Sequence, residues 1–273
     1  MTAAHPASSP PGSVTGGRLT VEAGVPDAAR RLIWNIFFMR AGRGIDFAAH
    51  LPWAADPDVR TVVLHEGHDV LAAAVVRPAR QAGVAMVGFV CVDEAWRGRG
   101  YGRDLMAAVN AAVDEAGFRA ALLWTGKPAI YVGTGYQEVG RDSVLRVSRL
   151  PNAPPAPATV TQTPWPGSGD RAGLPAFATA ARRFRSDRAE AVVAQGARGT
   201  TLINWRGDPA DVVALVDGAG HTSWMVNTAA PDAFSAALPA NRFAVSVEDG
   251  AAAMARRRGA GFPLDHVPVA ERI

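Results

Sequence analysis

Residues 97–103 combine three arginines with three glycines and follow directly on an apolar run. The run, Val84–Val92, predicts a strand buried on both faces, and residues 101–116 predict a helix. A strand that passes into a helix through such a loop directs several free backbone N–H groups toward one point, and the helix dipole adds partial positive charge there. Glycines let an anion approach the backbone closely, and arginines neutralise its charge. The segment is therefore predicted to bind phosphate.

The spacing of the glycines excludes two common phosphate loops. A Walker loop needs Gly-Lys followed by Ser or Thr, whereas Gly102 is followed by Arg103. The dinucleotide fingerprint needs G-x-G-x-x-G, whereas these glycines stand at every second position. The pattern that fits is Arg-x-x-Gly-x-Gly, formed by Arg97, Gly100 and Gly102. Placed after a strand that ends in Val-x-Val-Asp, it resembles the pyrophosphate loop of the GNAT superfamily of acyl-CoA-dependent N-acyltransferases.

A second motif supports the same resemblance. Residues 131–136 read Tyr-Val-Gly-Thr-Gly-Tyr, which is similar to the family's Tyr-x-x-x-Gly-aromatic segment after the fifth strand. The elements predicted for residues 18–149 also follow the family's order: strand, two helices, three strands, helix, strand, helix, strand. The resemblance implies the GNAT fold, an α/β fold in which a mixed, mostly antiparallel, twisted sheet is flanked by helices.

The resemblance also implies a cofactor, an acyl-CoA and most often acetyl-CoA, and roles for the residues around it. Main-chain N–H groups of residues 98–103 would hold the pyrophosphate, and the backbone of residues 90–92 would pair with the pantetheine arm like an added strand. Tyr131 matches the tyrosine commonly assigned as the acid that protonates the departing thiolate. The predicted catalytic residue is therefore Tyr131, and the predicted cofactor-binding residues are Val90, Cys91, Val92, Arg97, Gly98, Arg99, Gly100, Tyr101, Gly102 and Arg103.

The group that deprotonates the acceptor amine stays open at this stage. An alkyl ammonium has a pKa near ~10, so the amine must lose a proton before it attacks. Neither Val84–Val92 nor Ala120–Thr125 holds an acidic residue. His65 is one candidate base, and a water chain or a substrate amine of low pKa are others. The asparagine that usually precedes the tyrosine in this family is also absent.

The acceptor pocket in this family is built largely by the first two helices. In this sequence those helices are rich in aromatic residues, which either line an aromatic pocket or fill the core. An aromatic lining would favour an apolar or aromatic amine. The candidates are Trp34, Phe37, Phe38, Phe47 and Trp53.

A proline-rich stretch, residues 150–157, predicts a linker that divides the chain. The first domain then spans residues 18–149. Residues 158–273 look like a second GNAT-like domain, as in tandem GNAT proteins. This second domain is degenerate, because it contains no Arg-x-x-Gly-x-Gly loop. An unrelated α/β domain is the alternative. One cofactor per chain is therefore expected.

Hydrophobic patterning adds local predictions for this second half. Helices are predicted over residues 174–195 and 251–258, and a strand over residues 211–216. Residues 259–262, Gly-Ala-Gly-Phe, are predicted to correspond to residues 133–136, Gly-Thr-Gly-Tyr.

Composition limits the remaining possibilities. The 273 residues are 48% hydrophobic, which indicates a globular protein, and the single cysteine, Cys91, excludes an intrachain disulfide framework and a cysteine zinc site. The net charge of +3 reflects 28 basic and 25 acidic residues, which does not indicate nucleic-acid binding. Residues 1–17 predict a flexible tail rather than a signal peptide. No apolar run reaches the ~18 residues of a membrane span, and a cytoplasmic location is expected.

The sequence therefore predicts an N-acetyltransferase that transfers an acetyl group from acetyl-CoA, by direct attack, to a primary amine of a small molecule or protein. The alternative is a non-catalytic acyl-CoA-binding sensor or partner module. No metal site is predicted, and both a monomer and a homodimer are compatible with the sequence.

Overall fold

The computed structural model describes residues 17–40, 42, 44–154, 159–167, 172–259 and 261–273. Apart from Gly17, the predicted tail lies outside these residues, as do residues 155–157 of the predicted linker. Within the part that is described, no helix is both long enough and apolar enough to cross a bilayer.

The N-terminal half, residues 18–149, confirms the predicted order of strands and helices. Helix α1 continues into a π-helical turn, Asn35–Met39, and a 3₁₀ turn, Glu94–Trp96, precedes α3. The regular elements are β1 Arg18–Ala23, α1 Asp27–Trp34, α2 Phe47–His50, β2 Arg60–Glu66, β3 Asp69–Pro78, β4 Val84–Val92, α3 Tyr101–Glu115, β5 Ala120–Thr125, α4 Ala129–Val132 and β6 Gln137–Arg149.

The C-terminal half, residues 158–273, repeats this order from its first strand onward, except that no helix is described between its first two strands. Its elements are β7 Thr161–Trp165, β8 Ala178–Arg185, β9 Glu190–Gly196, β10 Gly199–Arg206, α5 Pro209–Gly218, β11 Ser223–Thr228, α6 Pro231–Ala236 and β12 Phe243–Arg257. A 3₁₀ turn, Val269–Glu271, follows in the segment after β12.

The strands of the described residues form one twelve-stranded sheet in the order β1-β2-β3-β4-β5-β12-β6-β11-β10-β9-β8-β7. Its pairings are antiparallel except for β4–β5 and β10–β11, which confirms the predicted mixed, mostly antiparallel sheet. The last strand of each half is exchanged: β12 lies between β5 and β6, and β6 lies between β12 and β11. Each half therefore completes the sheet of the other.

The helix predicted over residues 174–195 is wrong, because this region contains β8 and β9. Two buried residues of β8, Ala181 and Phe184, stand three apart, which resembles helical spacing. The spacing arises because the strand is covered on both faces: Ala181 packs with the cluster around Trp165, and Phe184 with the cluster around Trp224. Burial on both faces removes the alternation that marks a half-exposed strand.

The strand predicted over residues 211–216 is also wrong, because these residues lie within α5. The side chain of Asp208 accepts a hydrogen bond from the backbone N–H of Ala210, and Pro209 occupies the first turn. Both are start signals for a helix, and here they outweigh the preference of the valines for strands.

The helix predicted over residues 251–258 is part of β12 instead. The helix propensity of its alanines is outweighed by pairing with β5 on one side and β6 on the other. Residues 259–262 follow β12, whereas residues 133–136 precede β6. The predicted correspondence between the two segments is therefore wrong, and the region after α6 is the true counterpart.

Candidate functional site

Strands β4 and β5 pair over three residues only and then separate. The parallel pairs run from Val84 with Ala120 to Met86 with Leu122. On its other side β4 stays paired with β3 as far as Val92, although the register shifts within the strand. At the shift Phe89 has a φ of 48°, a left-handed conformation that few non-glycine residues adopt. The edge of β4 that faces β5 is therefore free of strand partners beyond the third pair.

The loop after β4 presents free hydrogen-bond donors. None of the backbone N–H groups of residues 98–102 has an acceptor among the described residues. Gly98 and Gly100 have φ values of 79° and 87°, which strongly favour glycine, and a Cβ at either position would meet no atom within 4 Å. Gly100 also precedes the first residue of α3, so the helix dipole points at the same space. The ring of Tyr101 is buried, so this residue offers only its N–H.

The three predicted arginines differ in what they can contribute. Arg97 Nε donates to the carbonyl oxygen of Val92 at 3.2 Å, which ties this side chain back to the strand. The guanidinium of Arg99 lies 4.5 Å above the ring of Trp96. The side chain of Arg103 is exposed and forms no ion pair with any described residue. Arg99 and Arg103 are therefore the better placed to neutralise an anion in the loop.

Tyr131 lies on α4, at the end of the gap between β4 and β5. Its backbone is fixed by the following turn, because Thr134 Oγ1 donates to the carbonyl of Tyr131 at 2.8 Å. Asn110 of α3 donates in turn to the carbonyl of Thr134 at 2.9 Å. Burial, with a smaller contribution from Cys91, raises the pKa of the Tyr131 phenol above its ordinary value. The phenol therefore holds its proton at neutral pH, as an acid catalyst must.

Cys91 does not act as a nucleophile in this site. Its side chain is 6% exposed and packs into the cluster around Phe38 and Trp53. Burial raises the pKa of the Cys91 thiol to about 12, so the reactive thiolate is not populated at neutral pH. Only its backbone can face a cofactor.

A cavity of about 420 Å³ opens beside Tyr131, where β4 and β5 separate. Both halves of the chain line it. The N-terminal half supplies Phe37, His50, Trp53, Val87, Gly88, Phe89, Val90, Leu123, Trp124, Thr125, Gly126 and Tyr131. The C-terminal half supplies Gly173, Leu174, Pro175, Ala176, Phe177, Val269, Arg272 and Ile273.

Of the five aromatic residues predicted to line a pocket or fill the core, two line this cavity, Phe37 and Trp53. The other three pack behind them: Trp34 stacks on Phe38 at 4.6 Å between ring centroids and contacts Phe47 at 6.0 Å. His65 does not line the cavity. Its Nε2 lies 3.1 Å from Thr20 Oγ1 and 3.4 Å from Glu22 Oε1 on β1, so the structure gives no support for it as the base.

The cavity-lining residues that come from distant parts of the chain were not predicted from the sequence. Leu174, whose N–H donates to the carbonyl of Ala49 at 2.9 Å, was assigned to a helix. Arg272 and Ile273 carried no motif at all. One signal in the sequence does point to this site: Gly88 interrupts a buried strand, and a glycine there marks a bulge or a close approach of backbone. Here it marks both.

The described residues of the C-terminal half contain no equivalent loop of free N–H groups. In the loop before α5 the carboxylate of Asp208 already caps the helix, and its negative charge would repel a phosphate. A Cβ added at Gly207 would lie 2.6 Å from the carbonyl oxygen of Arg188, so the loop is also crowded. This geometry agrees with the absence of the glycine-arginine motif from the second half.

Comparisons with known proteins point to one family. Residues 27–131 match the model of the acetyltransferase (GNAT) family. No curated protein matches the chain in sequence. The solved structures that are similar in fold include the following three, at identities that show the fold alone. A GCN5-related N-acetyltransferase from Kribbella flavida has a TM-score of 0.61 at 15% identity, and the match covers 90% of this chain and 72% of that one.

The second, a GCN5-related N-acetyltransferase from Anabaena variabilis, has a TM-score of 0.63 at 13% identity and covers 88% of this chain and 73% of that one. The third is a tandem GNAT protein from the clavulanic acid biosynthesis pathway. It has a TM-score of 0.51 at 14% identity, and the match covers 90% of this chain and 100% of that chain.

Proposed function

Because residues 27–131 match the model of the acetyltransferase (GNAT) family, we propose that the chain transfers the acetyl group of acetyl-CoA to a primary amine. One observation carries this proposal. The free N–H groups of residues 98–102 follow β4, the edge of β4 is unpaired beyond Met86, and Val90 and Tyr131 line the cavity where β4 and β5 separate, which supports a path from the loop along β4 to Tyr131. Such a path suits a cofactor with a pyrophosphate at one end and a reactive thioester at the other.

The residues present fit acetyl-CoA. The N–H groups of residues 98–102 would accept the pyrophosphate, with added charge from Arg99 and Arg103. The free backbone edge of residues 90–92 would pair with the pantetheine amides like an added strand. Acetyl-CoA supplies an acyl group already activated as a thioester. Because recognition here uses main-chain groups, the geometry of β4 matters more than the side chains on it.

In the transfer, the amine nitrogen would form a bond to the acyl carbon as the carbon–sulfur bond breaks; the sulfur would take a proton from Tyr131, and the proton that the nitrogen loses on becoming an amide would return to the phenol through water. Tyr131 Oη holds the proton that the sulfur takes, because the raised pKa of its phenol keeps it neutral until the sulfur becomes basic. Removal of the ammonium proton is assigned to water. No acidic side chain is among the described residues that line the cavity, and both ring nitrogens of His50 have partners, the carbonyl of Leu174 and the N–H of Ile45.

The proposal is tested by mixing the protein with acetyl-CoA and a panel of primary amines and following release of the free thiol. Isothermal titration measures the Kd for acetyl-CoA in parallel. Turnover with at least one amine supports the proposal. Binding of acetyl-CoA without turnover on any amine would instead support a non-catalytic acyl-CoA sensor, and absence of binding would contradict both functions.

Tyr131→Phe is expected to lower kcat about 100-fold, the lower range for loss of a general acid, because the departing sulfur no longer receives its proton. The Kd for acetyl-CoA should stay unchanged, since the loop of residues 97–103 is intact. Tyr136→Phe is the matched control: the ring of Tyr136 lies 6.2 Å from that of Tyr131, but its buried hydroxyl has no hydrogen-bond partner among the described residues and Tyr136 does not line the cavity. Equal kcat values for the two variants would show that Tyr131 is not the acid.

The pH dependence of kcat follows from the direction of the pKa shift. Burial raises the pKa of the Tyr131 phenol above its ordinary value, so its proton is retained over the range from neutral to mildly alkaline pH. We therefore expect no fall in kcat over that range. A descending limb near pH 8 that disappears in Tyr131→Phe would mean that the pKa of this phenol is lowered, contrary to its burial.

A further inference from the structure

The lining of the cavity specifies a class of acceptor. We propose that the acceptor is an apolar amine that carries one aromatic ring, and this proposal rests on the proposed function. The ring of the amine lies against Phe37, Trp53 and Phe89. We further propose that Ile273, at the end of the segment after β12, forms the wall that limits the size of the ring. The class of substrate and the residues that select it both follow from contacts across the two halves.

The three rings form a preorganised surface. The rings of Phe37 and Phe89 meet edge to face at 5.2 Å between centroids, and those of Trp53 and Phe89 lie 6.4 Å apart. Phe89 is held in a left-handed backbone conformation at the bulge of β4, with a φ of 48°. Phe37 lies in the π-helical turn that extends α1, and such turns frequently occur at functional sites. A flat apolar group would find these rings already in position.

The charges around the cavity disfavour acceptors with several positive charges. Arg272 is the only lining side chain with a permanent charge among the described residues, and it is paired with the buried Asp142 while lying 4.5 Å above the ring of Trp124. A second cation, Arg77, lies behind Trp53 at 4.9 Å. A polyamine or a lysine-rich peptide would place further ammonium groups here without an acidic side chain to pair with.

The wall is fixed in place by contacts with the N-terminal half. Arg77 Nη2 donates to the carbonyl of Glu271 at 2.8 Å, and the carboxylate of Glu271 pairs with Arg80 at 2.6 Å. Next to β4, a Cβ added at Gly88 would lie 2.2 Å from the backbone carbon and oxygen of Ile273. Ile273 therefore occupies the gap between β4 and β5 at the level of Gly88 alone, and only a glycine at position 88 leaves room for it.

The substrate class is tested with acetyl-CoA at saturation and three acceptors: 2-phenylethylamine, spermidine and a lysine-containing peptide. We expect kcat/KM to be about tenfold or more higher for 2-phenylethylamine. Equal or better turnover of spermidine or the peptide would overturn the proposed class while leaving the acetyltransferase proposal intact.

A binding measurement separates this proposal from the proposed function. Titration of 2-phenylethylamine and spermidine into the protein with coenzyme A needs no turnover. Tighter binding of 2-phenylethylamine would support the class even if no amine were acetylated, which would contradict the proposed function alone. Tighter binding of spermidine, or no difference between the two, would overturn the class.

Phe37→Ala is expected to raise KM for 2-phenylethylamine about tenfold with little change in kcat, because a ring contact is lost but the proton donor stays. Phe47→Ala is the matched control, since Phe47 is a partly buried phenylalanine of the same aromatic cluster that does not line the cavity. Any KM change from general loosening of the helices should appear in both variants. Equal KM values for the two variants would overturn the assignment of Phe37.

Ile273→Ala tests the wall. Removing most of this side chain should raise kcat/KM for the two-ring amine tryptamine relative to 2-phenylethylamine about fivefold or more, since the cavity becomes deeper. Ile130→Ala serves as the control, because Ile130 is 63% exposed on α4 and does not line the cavity. An unchanged ratio in Ile273→Ala would show that this side chain does not select the acceptor.

Discussion

Gly100→Trp is expected to raise the Kd for acetyl-CoA about 100-fold or more, because its side chain would fill the space in front of the free N–H groups of residues 98–102. Each hydrogen bond to a charged group contributes roughly 1.5–3 kcal/mol, so the loss of two of them costs about 3–6 kcal/mol. Titration calorimetry with acetyl-CoA measures the effect directly. At saturating amine and low concentrations of acetyl-CoA, the turnover rate should fall by the same factor by which the Kd for acetyl-CoA rises.

Gly117→Trp controls for the strain of the substitution itself. Gly117 follows the other end of α3, has a φ of 77° and, like Gly100, leaves open space around an added Cβ. Both variants therefore place a non-glycine residue in a left-handed conformation, at a cost of about 1–2 kcal/mol. Only Gly100→Trp should lose acetyl-CoA binding. Equal affinities for the two variants would place the pyrophosphate site elsewhere.

Because β6 and β12 are exchanged, a core substitution on either strand is expected to destabilise the half of the chain to which that strand does not belong in sequence. Met254 of β12 is fully buried in the core beneath α3, and Leu145 of β6 is fully buried in the core beneath α5. Replacing either residue with alanine should lower the free energy of unfolding by about 2–5 kcal/mol. The two cores share the sheet, so a single unfolding transition is expected for both variants.

Amide hydrogen exchange locates the two effects. Met254→Ala should speed exchange most in β5 and α3, whereas Leu145→Ala should speed it most in β11 and α5. Met225→Ala is a control, because Met225 is partly exposed on the opposite face of β11. Faster exchange confined to the substituted residue's own half of the sequence would contradict the exchange of strands.

The loop of residues 97–103, with its free N–H groups, was predictable from sequence because all of its determinants are contiguous. The buried strand, the glycines at Gly98 and Gly100 and the start of α3 stand within about 20 residues, the length of one local strand-loop-helix unit. The same holds for Tyr131, which follows β5 on a four-residue helix. Local chain geometry alone presents the N–H groups, so no distant contact is needed to recognise the loop.

The C-terminal half was poorly predicted, since its patterns reflect distant neighbours. β8 is covered on both faces, so its buried residues do not alternate, and β12 is rich in alanine, whose helix propensity is overcome only by β5 and β6. A propensity of a few tenths of a kcal/mol per residue cannot compete with the pairing and burial of a central strand.

The sequence by itself therefore determined the loop of free N–H groups that we propose as the pyrophosphate site and the family of fold around it, because both depend on short contiguous motifs. Only the tertiary structure decided which residues line the cavity that we propose for the acceptor. The cavity beside Tyr131 brings together Phe37, Gly88, Leu174 and Ile273, which are far apart in the chain. They meet because the two halves exchange their last strands and the segment after β12 returns to the gap between β4 and β5, an arrangement that no local pattern encodes.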